Sequence, residues 1–145
     1  MGKLDGSCLC GNVTYTCDAD PIASANCHCR DCQRSSGAAF STVAMVPADS
    51  IEIRGETLSI FRTIGDDHGK EAQRHFCSNC GSQLISTSDA YPGMVFIKAG
   101  TLNDSSLVQP AMDVWSDSKQ SWTDQGERFT VPRGPTEEAM AQLAG

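Results

Sequence analysis

The sequence is poor in aromatic residues and has no long hydrophobic run. Aromatics make up 6% of its 145 residues, and no apolar segment approaches the roughly 18 residues of a membrane-spanning helix. The opening MGKLDGSCLCG also lacks the apolar stretch of a signal peptide. We therefore expect one soluble domain over residues 1–145, located in the cytoplasm and without a membrane partner.

Basic residues are scarce as well. The chain has 11 Lys and Arg against 18 Asp and Glu, which gives a formal net charge of −7. Proteins that bind nucleic acids usually present a basic stripe that displaces counterions from phosphates. Here no basic cluster is longer than a pair, so the charge pattern predicts no nucleic-acid partner.

Cysteine, by contrast, is abundant. Eight cysteines would suit the disulfide framework of a secreted protein. Seven of them, however, lie in C-x-C or C-x-x-C clusters, whose short loops strain a disulfide and suit metal chelation, and thiols in the cytosol stay reduced. The eighth, Cys17, shares one face of the alternating segment NVTYTCD with Val13 and Tyr15, which predicts a buried cysteine that packs as a small hydrophobe.

The pattern of apolar runs and turn-forming segments along the chain is typical of short strands. NVTYTCD, AFSTVAMV, SIEIR, LSIFRTI and MVFIKAG are alternating, β-branched or apolar runs, and turn-forming segments such as PADS and RGET bound them. RDCQRSSG and the tail PTEEAMAQLAG are typical of short helices, because one ends in glycine and the other begins with a Thr cap followed by two glutamates. We predict a mainly β fold of short antiparallel strands with one or two short helices.

Two of the cysteine pairs have the spacing of a closed metal site. The C-x-C pair on an extended segment would project both sulfurs to one face. In the C-x-x-C-G pair, Gly81 can take the positive φ that closes a tight turn. Together they predict a tetrahedral, structural zinc site that ties the start of the fold to its later half. Its ligands are Cys8, Cys10, Cys77 and Cys80.

The remaining cluster has three cysteines and no evident fourth ligand. Its members are Cys27, Cys29 and Cys32. Asp31 is a poor match to a site set by thiolates, and His28 should point away from the metal. His75 could lie near the first site or ligate the second. Three protein ligands with an open position are the pattern of a catalytic zinc.

The charge of this cluster favours thiol chemistry over hydrolysis. Zinc generates hydroxide well when its ligands are neutral imidazoles, whereas three thiolates leave the zinc–thiolate unit at about −1. The pKa of a water molecule bound to this zinc would then stay closer to its value in aqueous solution. Such a centre is better suited to holding an external thiol as its thiolate, and Arg30 and Arg34 could offset the added charge.

Three motifs together resemble one known family. GSCLCGNVTY, CHCRDCQRSSG and FCSNCGSQL are similar to the motifs of the glutathione-dependent formaldehyde-activating enzyme family, also seen in centromere protein V. The resemblance runs from about Leu4 to Pro132. It implies an all-β fold called a β-tent with a structural zinc on Cys8, Cys10, Cys77 and Cys80. It implies a second zinc on Cys27, Cys29 and Cys32.

The same resemblance implies an activity. Glutathione would bind the open zinc position through its thiol and add to formaldehyde to give S-hydroxymethylglutathione, a reaction counted among the carbon–sulfur lyases. One departure concerns the family pattern P-x-x-H-[IV]-W, which reads PAMDVW here, so that Asp113 stands at the histidine position. Trp115 and Trp122 could floor a ligand cleft, although a core position is the commoner role. Trp115 is therefore a substrate-binding candidate beside Arg30 and Arg34.

Two alternatives remain open. In the first, both zinc ions are structural and the domain binds a protein or a ligand, which predicts four protein ligands at each metal. In the second, the protein senses redox state or metals, which predicts reversible oxidation of the three-cysteine cluster with release of zinc. The leading hypothesis is an enzyme that acts on a small thiol and an aldehyde.

Overall fold

The computed structural model describes residues 4–65, 69–123 and 129–144, and within them the fold is mainly β, as predicted. The strands are β1 Leu4–Ser7, β2 Thr14–Cys17, β3 Ala23–Cys27, β4 Ser41–Pro47, β5 Ile51–Arg54, β6 Leu58–Ile64, β7 Glu71–Cys77, β8 Gln83–Ser88, β9 Met94–Lys98, β10 Met112–Val114 and β11 Phe129–Val131. The helices are α1 Arg30–Ser36 and α2 Glu137–Ala144.

Two sheets form the framework. The small sheet has the order β1-β2-β5 and the large sheet the order β11-β10-β3-β4-β9-β8-β7-β6. Both are antiparallel except at β10, which runs parallel to β3 and to β11. The expectation of antiparallel strands throughout is therefore wrong at this edge. Parallel neighbours need long connections rather than hairpins: residues 28–111 separate β3 from β10, and residues 115–128 separate β10 from β11.

Strand β4 is buried on both sides and separates two cores. Ala44 and Val46 face the core between the sheets, while Val43 and Met45 face a second core on the other side. Because strand side chains alternate, the continuous apolar run of β4 supplies both faces at once. Both faces of the large sheet therefore pack against a core.

The predicted elements near the start of the chain form as expected. Val13, Tyr15 and Cys17 are all buried in the core between the sheets, so Cys17 packs as predicted. Helix α1 ends at Gly37, which takes a left-handed φ of 69° as its C-cap.

Neither helix of the described part of the chain is long and apolar enough to cross a membrane.

Candidate functional site

The four-cysteine cluster brings together Cys8, Cys10, Cys77 and Cys80, whose sulfurs all lie within 4.8 Å of one another. The Sγ atoms of Cys8 and Cys10 are 3.6 Å apart, and those of Cys10 and Cys77 are 3.7 Å apart. A tetrahedral zinc with Zn–S bonds near 2.3 Å would separate neighbouring sulfurs by about 3.8 Å. The donor set therefore fits a closed, four-thiolate metal site.

Turns, rather than an extended segment, make the sulfurs of this cluster converge. Cys8 and Cys10 lie in a turn after β1, in which the Gly11 N–H donates to the Cys8 carbonyl at 3.2 Å. The expected extended geometry is wrong, because side chains two apart on a strand stand about 6.6 Å apart. At the other pair, the Gly81 N–H donates to the Cys77 carbonyl at 2.7 Å. Gly81 has a φ of 81°, as predicted.

Hydrogen bonds to Cys80 and Cys77 favour their thiolate forms. The Ser82 hydroxyl and backbone lower the pKa of Cys80 to about 5, and the Thr57 hydroxyl, 3.2 Å from the sulfur, lowers the pKa of Cys77. The Val13 N–H donates to the Cys8 sulfur at 3.2 Å. Metal binding requires deprotonated cysteines, so these donors suit the four-cysteine cluster to that role.

The three-cysteine cluster forms where β3 passes into α1. Cys27 ends β3, Cys29 caps α1, and Cys32 lies in its first turn. The sulfurs of Cys27 and Cys32 are 3.5 Å apart, and the Cys32 N–H donates to the Cys29 sulfur at 3.2 Å. In the residues that the structure describes, no further histidine, cysteine or carboxylate ligand atom joins these three. The cluster therefore offers three ligands to a metal ion.

His28 lies between two of these cysteines and turns to Asp113, as expected for a residue that points away from the metal. Its Nε2 atom is 3.0 Å from the Asp113 carboxylate, and both side chains are buried. The His28 N–H also donates to the carbonyl of Val114 at 3.0 Å. Asp113, at the position where the family pattern has histidine, thus fastens the cysteine segment to β10.

Gln33 is a second anchor, which no sequence motif indicated. Its buried side-chain amide donates to the carbonyls of His28 and Ser118 at 2.7 and 3.0 Å. Its oxygen accepts from Arg30 at 2.5 Å and from Gln120 at 2.7 Å. These bonds tie α1 to the loop after β10, which forms one wall of the site.

A cavity of about 230 Å³ lies beside the three-cysteine cluster, against the outer face of the large sheet. Residues paired directly across strands point to the same side. One such row is Ala23, Met45, Phe96, Ser86 and Arg74. The next is Met112, Ala25, Val43 and Lys98, and the third is Val114, Cys27 and Ser41. These three rows form the floor of the cavity. The floor is apolar in the middle, and the three-cysteine cluster lies at one end of it.

His75 lies on the other face of the sheet. It pairs with Ile85, which pairs with the buried Ile97, so its row faces the core between the sheets. Partial burial lowers its pKa, helped by the charge of Arg62. Among the described residues His75 joins neither cysteine cluster, so its predicted role as a ligand of the second is not supported.

The predicted substrate-binding residues divide between the cavity and the surface. Arg30 and Trp115 line the cavity, and Trp115 does so from a left-handed backbone with a φ of 53°. Arg34 is exposed and is not among the residues that line it. Trp122 is 71% exposed, so its expected core position is wrong. Trp115 alone of the two tryptophans can contact a ligand there.

Two cations that the sequence did not reveal, Arg74 and Lys98, line the cavity near the cysteines. Burial lowers the pKa of Arg74, but the adjacent Cys32 outweighs that effect and the pKa of Arg74 is raised. Burial lowers the pKa of Lys98, and Cys32 opposes the change. Lys98 could have been noticed as the one charged residue in MVFIK; nothing in EAQRHFC distinguishes Arg74.

The fold and these two clusters define a class: a β-sheet protein with a closed four-cysteine cluster on one face of its large sheet and a three-cysteine cluster, open to a cavity, on the other. Comparison with known families gives the same answer in more detail. The chain belongs to the family described as glutathione-dependent formaldehyde-activating enzyme, whose model matches residues 3–118.

Several relatives carry the family's name. A Halomonas elongata protein is 29% identical over 126 residues, which cover 83% of this chain and 80% of that protein. A Fusarium vanettenii protein is 24% identical over 112 residues, 75% of this chain and 59% of its own length. A Talaromyces marneffei protein is 28% identical over 101 residues, 68% of this chain and 52% of its own length. The chain thus spans only part of the fungal relatives.

A crystal structure of a Rhodobacter sphaeroides protein has the same fold. The superposition has a TM-score of 0.58 with 19% sequence identity, and it covers 88% of this chain and 99% of that one. At 19% identity this similarity supports the fold of the chain and no more than the fold.

Proposed function

We propose that this protein is a zinc-dependent enzyme that joins a small thiol to an aldehyde, a carbon–sulfur bond-forming reaction of the S-(hydroxymethyl)glutathione synthase type. Glutathione and formaldehyde are the pair that the family's name indicates. The observation that carries the proposal is the three-cysteine cluster in the wall of a cavity. Zinc in each cluster, two ions per chain, suits their sulfur ligands.

The metal would have one task in this scheme. Zinc on Cys27, Cys29 and Cys32 would take the substrate sulfur as its fourth ligand and favour its thiolate form. The four-cysteine cluster, closed by its own side chains, would be structural.

The cavity would bind and orient the two substrates. Val43, Phe96 and Met112 give it apolar walls that exclude water around the reacting atoms. Arg74 interacts with the Cys32 sulfur and supplies positive charge beside the cysteines, the role expected of Arg30 and Arg34, and Lys98 lines the same cavity. Holding both reactants together removes much of the entropic cost of their encounter.

The reaction balances without another reactant. The thiol sulfur forms a bond to the carbonyl carbon, and the electron pair of the C=O π bond moves to the oxygen. The proton that the thiol gives up ends on that oxygen, so that the product is a hydroxymethyl thioether. Thiolate ligands and a thiol substrate both need reducing surroundings, which supports a cytoplasmic location.

The alternatives receive less support from the same observations. A purely structural pair of zinc sites predicts four protein ligands at each, whereas the described residues offer three at the second cluster. A redox sensor needs accessible thiolates, but Cys27 and Cys32 are 9% and 6% exposed, and of the three cysteines Cys29 alone is partly exposed. The enzymatic reading therefore accounts best for the site.

Exchange spectroscopy with isotope-labelled formaldehyde and glutathione tests the proposal, because it measures how fast the adduct forms beyond the spontaneous rate. We expect Cys29→Ser to abolish the acceleration while the protein stays folded. Cys17→Ser is the matched control: it makes the same atomic change at a buried cysteine outside both clusters and should keep the acceleration. Equal rates for the wild type and Cys29→Ser would reject the zinc role.

A further inference from the structure

Lys98 is a buried cation in the wall of the cavity. It ends β9, is 8% exposed, and donates from Nζ to the Ser41 hydroxyl at 3.0 Å. An ammonium group has three N–H donors. Across the described ranges, Ser41 is the one hydrogen-bond partner of the Lys98 ammonium group, and no carboxylate lies within 4 Å of it. Lys98 therefore has donor capacity for a group that enters the cavity.

The sheet register places this ammonium group beside the cysteines. Ser41 pairs directly with Cys27, and Lys98 pairs with Val43 in the adjoining row on the same face. Because its Nζ bonds Ser41, the ammonium reaches from its own row into the row that contains Cys27. A substrate held by its sulfur at the cluster would present the neighbouring reacting atoms to Lys98.

The two cations differ in how they contact the cysteines. Arg74 already interacts with the Cys32 sulfur by charge and hydrogen bond, and its guanidinium also donates to Ser35 at 3.4 Å. Lys98 instead bonds a neutral hydroxyl. Burying a cation costs free energy unless it is paired and hydrogen-bonded, so an ammonium group whose one hydrogen-bond partner in the described structure is a neutral hydroxyl suits a site where negative charge develops during the reaction.

We infer that Lys98, held by Ser41, binds the carbonyl oxygen of the aldehyde and stabilises the negative charge that develops there, an inference that rests on the proposed function. As the carbon–sulfur bond forms, the π electrons of the carbonyl move to the oxygen, and the ammonium donates a hydrogen bond to it. Lys98 keeps its own protons. Water passes a proton to the oxygen and takes up the proton that the thiol released, so that in net terms the thiol proton ends on the oxygen.

Replacing Lys98 tests this role. Loss of one donor to a developing oxyanion lowers kcat by about 10²–10³-fold in enzymes, and we expect Lys98→Met to lower kcat by about 100-fold. Lys98→Arg keeps a cationic donor and should retain more activity. Arg54→Gln removes one positive charge from an exposed position away from the cavity and should keep wild-type turnover.

A binding readout separates this role from a merely structural one. Cobalt-substituted protein titrated with glutathione reports binding of the thiol sulfur through its absorption spectrum. We expect Lys98→Met to bind two metal ions and the thiol with wild-type affinity while turnover falls. Should Lys98→Met fail to fold, Ser41→Ala keeps the charge but releases the ammonium, and an intermediate loss of kcat is expected.

The outcomes distinguish the two proposals. If Cys29→Ser loses turnover and Lys98→Met or Ser41→Ala keeps it, the assignment of Lys98 is wrong and the proposed function stands. If Lys98→Met loses the metal or the thiol affinity along with activity, Lys98 is a charge-compensating residue, and the assignment is again wrong. If the wild type shows no acceleration, both proposals fail.

Discussion

The imidazole of His28 and the carboxylate of Asp113 meet at 3.0 Å in a fully buried contact. His28 stands between Cys27 and Cys29, while Asp113 lies on β10, so the contact joins residues 85 positions apart. The other ring nitrogen of His28, Nδ1, has no hydrogen-bond partner in the described structure. The carboxylate is therefore the partner that compensates for the burial of this ring.

Asp113→Ala should destabilise the protein. It leaves the second ring nitrogen of His28 buried without a partner, which costs about 1–3 kcal/mol, and we expect that loss in the free energy of unfolding measured with urea. Asp113→Asn keeps an accepting oxygen and should cost less. Asp18→Ala, at an exposed carboxylate, is the control and should change the stability little. Equal stabilities for the Ala variants at both positions would contradict the anchoring role.

Gly6→Ala should also destabilise, for a steric reason. A Cβ on Gly6 would overlap the ring of Tyr15 and the carbonyl of Thr101, which hold the small sheet against the large one. Overpacking of this kind costs about 1–3 kcal/mol, measurable as a lower urea midpoint with an unchanged slope. Gly100→Ala is the matched control, since a Cβ there meets no atom within 4 Å. A Gly6→Ala midpoint equal to that of Gly100→Ala would refute the predicted clash.

Removal of one ligand from the four-cysteine cluster should affect the fold more than the cavity. We expect Cys10→Ser to reduce bound zinc from two ions to one and to lower the free energy of unfolding by more than about 3 kcal/mol, because structural zinc contributes directly to folding. Metal analysis and urea unfolding measure both effects. Cys17→Ser should keep two zinc ions. Full zinc content in Cys10→Ser would show that the cluster is not a zinc site.

Fluorescence should report binding in the cavity through Trp115 alone. The chain has two tryptophans; Trp115 lines the cavity and Trp122 is 71% exposed. Addition of glutathione to the zinc-loaded protein should change the emission of the wild type and of Trp122→Phe to the same extent. Trp115→Phe should lose the change. A response that follows Trp122 instead would place the ligand elsewhere.

Local patterns predicted the parts of the site that are close in the chain. C-x-C-x-x-C spacing identified Cys27, Cys29 and Cys32, and the glycine after Cys80 indicated the turn that closes the other cluster. These signals work because ligands a few residues apart are brought together by one turn or one helix start. The mainly β fold followed in the same way from alternation within single strands.

Relationships across strands could not be predicted locally. Arg74 and Lys98 reach the cavity because β7, β8 and β9 are neighbours in a particular register, which depends on pairings between distant residues. The parallel direction of β10 likewise depends on a long connection rather than on its own three residues. Trp122 lies outside the strands and helices and is exposed. The hydrophobic character of a side chain does not by itself predict that it is buried.

The two cysteine clusters belong to cores on opposite faces of a single sheet, and this has a consequence for evolution. Substitutions that reshape the outer face can alter which molecules are accepted without touching the ligands that keep the chain folded on the inner face. Selection can thus explore new substrates on one side at little risk to the other. A descendant protein could even lose the three-cysteine cluster and its reaction and still keep the fold that the four-cysteine cluster stabilises.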